Sequence, residues 1–361
     1  MKLRSLVVAI AAVSLSGCMV GPDYFRPAVD TPEAYRFEPK QAAEVADAKW
    51  WTQYGDVVLD KLIADSLANN WNVQIAAANV EAAAGILTQT RAPIFPQLGY
   101  SADSGRARYT ESGDGAVAPG TVNPQSINQA GFTASWELDL WGRIRRQSEA
   151  AQANLLATEQ ARRGVILTLV SSVTNAYLQL RGLDEQLAVA HKTLDTYEQS
   201  LKFFELQYKY GQNSEMSVAQ ARSQYETAAA QIPQIEQQIV EVENALSLLA
   251  GRNPGLIVRG KTLAELTAPA VPAGLPSQLL ERRPDIMQAE QQLIAANAQI
   301  GAAKALYYPS ISLTGFFGGA SSELSDVFNG SAKTWNFTGS VVVPIFMVVF
   351  ISGQVVQAEG S

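Results

Sequence analysis

The chain has 361 residues, a formal net charge of −7 and a single cysteine. The negative charge argues against a nucleic-acid-binding protein, because no basic face offsets repulsion from phosphate groups. One cysteine and one histidine, His191, favour neither disulfides nor a transition-metal site, so we expect no metal and no cofactor other than a covalent lipid.

The N-terminus has the features of a bacterial lipoprotein signal. Lys2 and Arg4 precede an apolar stretch, and the string LSGC at 15–18 matches a lipobox. In a lipobox the cysteine is lipidated and becomes the new N-terminus, although an ordinary signal with an incidental cysteine is the alternative. We expect a signal peptide over 1–17 and a membrane anchor on Cys18, where each buried methylene contributes ~0.8 kcal/mol.

Residues 18–59 are irregular and rich in proline and tryptophan, which predicts an extended segment anchored by its aromatic side chains. From Asp60 to Thr90 apolar residues recur every three or four positions, which predicts a helix that ends at Pro93 and Pro96.

Two stretches of period-2 alternation follow, from Leu98 and from Phe132, with a predicted long loop over 104–128. Each predicted strand has one apolar face and one polar face. This pattern fits a membrane strand with lipid on one side and water on the other. A soluble sandwich strand with one solvated face is the alternative. Glu137 and Asp139 fall on the polar face, so we predict that they line a lumen and are not paired catalytic acids.

The longest regular segment runs from Arg143 to Tyr210 without a proline, and as one helix it would span ~100 Å. Its apolar spacing is typical of coiled-coil packing. Ser214 is the predicted N-cap of a returning helix from about Met216 to Leu249. The sequence therefore predicts a long antiparallel helical hairpin.

An internal repeat relates the two parts of the chain. Residues 67–100 match residues 280–313 at a constant offset of 213, and each copy changes from helical to strand periodicity at a proline. The repeat predicts a duplicated half-unit: a first repeat over 60–251, a connector over 252–276, and a second repeat over 277–361. The second repeat has the helix and two strands but no long hairpin.

Three strings complete the pattern, WELDLWGR at 136–143, ERRPDI at 281–286 and YPSISL at 308–313. With the lipobox and the duplicated order of elements, they make the chain resemble the TolC-like outer-membrane factors, in the lipoprotein (NodT-type) branch that serves RND multidrug efflux pumps. The resemblance implies an α+β membrane protein. Four strands from each protomer of a homotrimer form a transmembrane β-barrel, continuous with long periplasmic coiled-coil hairpins.

The resemblance also implies a function and a set of partners. Such a protein is a passive outer-membrane exit duct of a Gram-negative bacterium, lipid-anchored and extending into the periplasm. It docks to a periplasmic adaptor and an inner-membrane RND transporter, and it is not an enzyme. The residues that match the hairpin tip, which in the family meets the adaptor, are Tyr210, Gly211, Gln212, Asn213 and Ser214.

Two features depart from the family pattern. An aspartate that often lines the periplasmic gate is replaced by Ser217, and nearby Glu215 is either a substitute gate residue or a solvated first-turn carboxylate. The expected glycine-arginine after Phe346 is replaced by Met347 and Val348, and the second long hairpin is missing. A fragment, a truncated product and a variant needing other chains all stay open. The rival function is a coiled-coil structural or adaptor lipoprotein without a pore.

Overall fold

The computed structural model describes residues 19–28, 49–114, 116–118, 120–269 and 280–360. The predicted signal peptide and Cys18 lie outside these described residues. The chain forms two compact units. The strand unit comprises the described residues within 1–28, 81–158 and 288–361, and the helical unit comprises those within 29–80 and 159–287.

The strand unit contains one antiparallel sheet in the order β1-β2-β3-β4. Its strands are β1 (Gln97–Ala107), β2 (Gln125–Leu138), β3 (Ser310–Ser321) and β4 (Lys333–Val342). Each repeat contributes two neighbouring strands, and β2 pairs with β3 where the repeats meet. β1 and β2 remain paired as far as Ala107 and Gln125, so the predicted loop over 104–128 was too long. Backbone hydrogen bonds maintain this pairing where the side chains no longer alternate.

The observed elements follow the repeat. Among the helices, α2 (Trp71–Arg91) and α5 (Pro284–Ala305) start 213 positions apart, as do strands β1 and β3. Arg91 at the end of α2 donates to Gln152 at 2.7 Å, and Lys304 at the end of α5 forms an ion pair with Glu359 at 2.8 Å. Arg91 and Lys304 are equivalent positions of the two repeats. Each therefore contacts the helix that follows the two strands of its own repeat.

A helix that the sequence pattern did not indicate, α6 (Val348–Gly360), follows β4. Its β-branched residues and Gly353 have low intrinsic helix propensity, so the sequence pattern does not predict a helix here. Ile351 and Val355 are its buried residues, so packing within the strand unit stabilises it. α6 is one helix of 13 residues and not a hairpin.

The helical unit contains α1 (Val57–Asn69), the first part of α2, most of α3 (Arg143–Lys209) and α4 (Glu215–Leu249). The single helix predicted from Asp60 to Thr90 is wrong, because Asn70 has an extended conformation and separates α1 from α2. Its side-chain oxygen accepts from the Asn72 amide at 2.9 Å, and its side-chain nitrogen donates to the Leu249 carbonyl at 2.9 Å. These bonds compensate for the interrupted helical ladder.

The core of the helical unit joins α1 to the hairpin of α3 and α4. Its fully buried members include Leu59, Ile63, Val173, Leu180 and Leu246. A short 3₁₀ helix, Trp50–Tyr54, packs its aromatic rings against this core. These five residues are therefore not extended, contrary to the prediction for the whole of 18–59, because the rings reach the core from a helical turn. None of the helices in the described ranges combines the length and the apolar character needed to cross a bilayer.

Candidate functional site

The sheet of the strand unit has two chemically distinct faces. Tyr100, Phe132, Phe317 and Trp335 pair in register across all four strands, which places them in one row on one face. The ring centroids of Tyr100 and Phe132 are 5.4 Å apart in an edge-on arrangement, and 61% of Phe132 is exposed. Contact with water disfavours a row of exposed aromatic rings. An apolar face with aromatic side chains is typical of a sheet that faces lipid.

The opposite face is mostly polar, although the buried Phe316 also lies on it, in register with Thr133. Glu137 pairs in register with Ser312, which pairs with Ser340, and the next row on the same face contains Ser135, Thr314 and Thr338. The strand period of two separates these hydroxyls from the aromatic rows over the full width of the sheet. The sequence predicted this division for the strands at Leu98 and Phe132, and the register shows it on all four strands.

Glu137 and Asp139 have different structural roles. The Glu137 carboxylate accepts three hydrogen bonds from the Arg143 guanidinium, at 2.7, 2.8 and 3.2 Å. Asp139 lies beyond the end of β2 and accepts from the backbone amides of Ile144 and Arg145 at 3.1 and 2.9 Å. It therefore caps the first turn of α3, where unpaired amides favour a carboxylate. Placing both residues on one strand face was wrong for Asp139, and a lumen-lining role stays a prediction.

The hairpin tip is a tight turn between two helices. α3 ends at Lys209, Gly211 has a φ of +68°, and α4 begins at Glu215. The Asn213 side chain donates to Gln207 at 2.9 Å and accepts from the Ser214 amide at 2.8 Å. The Ser214 hydroxyl accepts from the Ser217 amide at 3.4 Å, which confirms Ser214 as the predicted N-cap.

Apolar side chains are exposed around this tip. The exposed set consists of Phe203, Leu206, Tyr208, Tyr210 and Met216. Tyr210 is 69% exposed and Met216 is 70% exposed, while an ion pair between Glu205 and Arg222 at 2.8 Å joins the two helices. A rigid turn that presents aromatic and methionine side chains is a suitable protein-binding surface.

The two gate candidates belong to the first turn of α4. Ser217 takes part in the cap, with its hydroxyl oxygen 3.2 Å from that of Ser214. Glu215 is exposed at the helix N-terminus, where its charge interacts favourably with the helix dipole. These contacts account for both residues structurally, and a gating role stays a prediction.

The described residues after Cys18 form a strap, residues 19–28, along α3 and α5. The Val20 amide donates to the Trp141 carbonyl at 3.1 Å. Arg146, whose side chain is 2% exposed, pairs with Asp23 at 2.7 Å and donates to the Val20 carbonyl at 3.3 Å. The Asn297 side chain donates to the Pro22 carbonyl at 3.0 Å. The strap is thus held by the buried Arg146 guanidinium and by hydrogen bonds to its backbone.

The helical unit contains a buried polar network that the sequence pattern does not predict. The Asp56 carboxylate, 2% exposed, accepts from the Val58 amide at 2.8 Å and caps α1. It also accepts from the Tyr177 hydroxyl at 2.7 Å and the Lys261 amide at 3.0 Å, while the Gly260 amide donates to the Tyr177 oxygen at 3.0 Å. Burial and the bond to Asp56 raise the pKa of Tyr177 to about 12.

This network fixes part of the connector against the hairpin. We call this part, residues 256–265, the connector loop. Arg259 supplies a second attachment, pairing with Asp184 at 3.0 Å and with Glu243. The Asp56 cap could have been recognised from an aspartate directly before the apolar pattern of α1. The connector contacts carry no sequence signal, because Tyr177 occupies an ordinary apolar seam position.

The chain matches a protein-family model described as outer membrane efflux protein, over residues 62–252 and 275–360. It is 39% identical over 351 residues to the cation efflux system protein CusC of Escherichia coli, covering 96% of this chain and 74% of that protein. It is 35% identical over 348 residues to the probable efflux pump outer membrane protein TtgC of Pseudomonas putida, covering 94% and 72% of the two chains.

A solved structure supports the same assignment. The CmeC outer membrane channel of Campylobacter jejuni superimposes with a TM-score of 0.85 at 25% identity, covering 95% of this chain and 74% of that one. The four-stranded sheet and long helices described above are therefore the α+β fold of outer-membrane efflux channels. Because the family model, the relatives and the fold agree over nearly the whole chain, the protein belongs to the outer membrane efflux protein family.

Proposed function

We propose that the chain contributes one protomer to a passive exit duct, through which an efflux pump expels drugs and other small molecules across the outer membrane. The observation that carries this proposal is the two-faced sheet. Aromatic rings form one registered row from β1 to β4, and hydroxyls and Glu137 occupy the other face. Such a sheet separates lipid from a water-filled lumen.

The assembly proposed for the duct is a homotrimer. β1 and β4 are the edges of the sheet, and each presents unpaired backbone groups. In a bilayer these groups need partners, because no water is available to satisfy them. Pairing β4 of one protomer with β1 of the next would satisfy both edges, and three copies would close twelve strands.

The hairpin tip is the proposed docking point for a periplasmic adaptor, which would link the duct to an inner-membrane RND transporter. The exposed aromatic side chains and the rigid turn at Gly211 support this assignment. A photo-crosslinking residue at Gln212 should capture the adaptor in cells. The same residue at Glu226, which is exposed on α4 away from the turn, should not. Equal capture at both positions would contradict docking by the tip.

A membrane anchor on Cys18 completes the proposal. Its support is the lipobox at 15–18 and the strap, which holds the adjoining described residues beside Trp141. The acyl chains would enter the membrane at the level where the strands end. Export to the outer membrane is consistent with Met19, since the family signal for inner-membrane retention is an aspartate at that position.

The duct can be tested with neighbouring cysteines on opposite faces. Phe132 and Thr133 are neighbours on β2, so the variants Phe132→Cys and Thr133→Cys are matched in membrane depth. A membrane-impermeant thiol reagent should label Thr133→Cys at least tenfold faster than Phe132→Cys in cells, because only the polar face meets water. Equal labelling rates would refute the assignment of the faces.

A conductance measurement separates the duct from the rival pore-less scaffold. Purified protein added to a planar bilayer should produce discrete, ohmic conductance steps, because a passive duct has no energy-coupled gate of its own. A protein that assembles in detergent but yields no conductance would support the scaffold function instead.

A further inference from the structure

A cavity of about 260 Å³ lies inside the strand unit, where the strands end and the helices begin. We call it the junction cavity. Residues at the ends of β2, β3 and β4 and at the adjoining ends of α3, α5 and α6 form its walls. Most of these walls are apolar, with major contributions from Leu138, Leu306, Ile345, Phe350 and Ile351. A partly open apolar space of this kind favours a small organic ligand.

The charged groups beside the junction cavity are already paired. Glu137 is neutralised by Arg143 through three hydrogen bonds, at 2.7, 2.8 and 3.2 Å. Asp139 accepts from two backbone amides and forms an ion pair with Arg145 at 3.4 Å. A cation or an anion entering the cavity would meet no free countercharge at these groups. The electrostatics therefore favour a neutral ligand.

One wall of the junction cavity is a flat aromatic surface. The rings of Trp141 and Tyr308 stack with centroids 4.8 Å apart and an interplanar angle of 26°. The Trp141 indole nitrogen donates to the Pro309 carbonyl at 2.8 Å, which holds the ring in place. A fixed aromatic surface favours a planar aromatic ligand, because ring contacts add to the gain from apolar burial.

Gln354 of α6 supplies a polar feature with no structural partner. It lines the junction cavity, and its side-chain oxygen is buried without a hydrogen bond among the described residues. Buried acceptors are nearly always satisfied, so this oxygen marks a place where a donor group would be favoured. The sequence pattern does not indicate this residue, because α6 itself was not predicted.

From these four observations we infer that the junction cavity binds small neutral aromatic compounds that carry one hydrogen-bond donor, such as a two-ring aromatic alcohol. The rings lie against Trp141, and the donor pairs with the Gln354 oxygen, which is buried until the side-chain amide turns toward the cavity. The inference goes beyond the proposed function, because a passive duct requires no binding site for the compounds that pass through it. It names a class of compound that the channel retains.

The test compares two probes that differ by one hydroxyl, 2-naphthol and naphthalene. Equilibrium dialysis measures their binding to the full chain in detergent micelles, with empty micelles as the blank. Wild type should bind 2-naphthol saturably. Gln354→Met, which keeps the side-chain length but removes the acceptor, should weaken 2-naphthol about three- to tenfold and leave naphthalene unchanged or tighter, as expected for one lost hydrogen bond.

The matched control is Gln357→Met, an exposed glutamine of the same helix that does not line the junction cavity. It should leave the affinities for both probes unchanged. Ala305→Leu, which adds bulk to the cavity wall, should reduce the binding of both probes together. The inference is overturned if wild type shows no saturable binding. It is also overturned if Gln354→Met affects both probes equally, or if Gln357→Met reproduces its effect. Binding measured in this way does not depend on conductance, so failure here leaves the proposed duct untouched.

Discussion

Tyr177→Phe tests whether the buried network, rather than general packing, holds the connector loop on the helical unit. The substitution removes one hydroxyl, which donates to the Asp56 carboxylate at 2.7 Å and accepts from the Gly260 amide at 3.0 Å. The ring stays in place, because phenylalanine has the same shape and the site is fully buried. The apolar packing of the core should therefore be unaffected.

The expected magnitude follows from the two bonds. A hydrogen bond to a charged group contributes ~1.5–3 kcal/mol and a neutral one ~0.5–1.5 kcal/mol, so their loss should cost about 2–4 kcal/mol locally. Asp56 retains the Val58 and Lys261 amides, which keeps the cost toward the lower end of this range. Each ~1.4 kcal/mol corresponds to a tenfold change in an equilibrium constant. Local opening of the loop should thus become about 30-fold or more easier.

Hydrogen exchange measures this opening directly, since it reports local stability without requiring a two-state transition of the whole protein. The amides of Gly260 and Lys261 should exchange about 30-fold or more faster in Tyr177→Phe. Tyr208→Phe removes an exposed hydroxyl from the same helix and should change exchange less than threefold. The reasoning would be refuted if the loop amides kept their wild-type rates, or if both variants changed them equally.

Three further outcomes are expected. The pKa of Tyr177 is raised to about 12 from an ordinary value of 10.0, so its neutral form stabilises the fold fully below pH 10 and this contribution is lost as the pH rises through about 12. In that window the rate of hydrogen exchange in the connector loop should rise more steeply with pH in wild type than in Tyr177→Phe. Gly301→Val should release the strap, since a Cβ there would lie 2.8 Å from the Val20 carbonyl oxygen; proteinase K should then cleave within residues 19–28, while Gly85→Val, with open space around it, should stay resistant. Cys18→Ser should abolish incorporation of labelled fatty acid and processing at that site, and continued labelling would disprove lipidation at Cys18.

The sequence was most informative where one local period extends over many residues. The helical period of α3 continues for 67 residues, and its predicted end at Tyr210 lies one residue from the observed end at Lys209. The offset of 213 in the sequence reappears in the starts of α2 and α5 and of β1 and β3. Local periodicity succeeds here because each residue's face is decided by its immediate neighbours along the chain.

The sequence was least informative where local preference is weak or where a partner is distant in the chain. α6 has poor helix formers, and its packing within the strand unit compensates for them. Asp139 continues the alternation of β2 in the sequence. In the structure it lies beyond the strand, because its carboxylate accepts from the Ile144 and Arg145 amides at the start of α3. In both cases a contact outside the local window outweighed the pattern.

The amino-acid sequence by itself therefore determined the duplicated order of helices and strands, the two-faced strands, the hairpin with its Ser214 cap, and the family. Only the tertiary structure decided which polar groups meet. The Asn70 break depends on the Leu249 carbonyl 179 residues away, and the connector loop depends on Asp56, which is 205 residues from Lys261. The physical reason is that a buried polar group needs a partner in space, and neither periodicity nor propensity carries information about that partner.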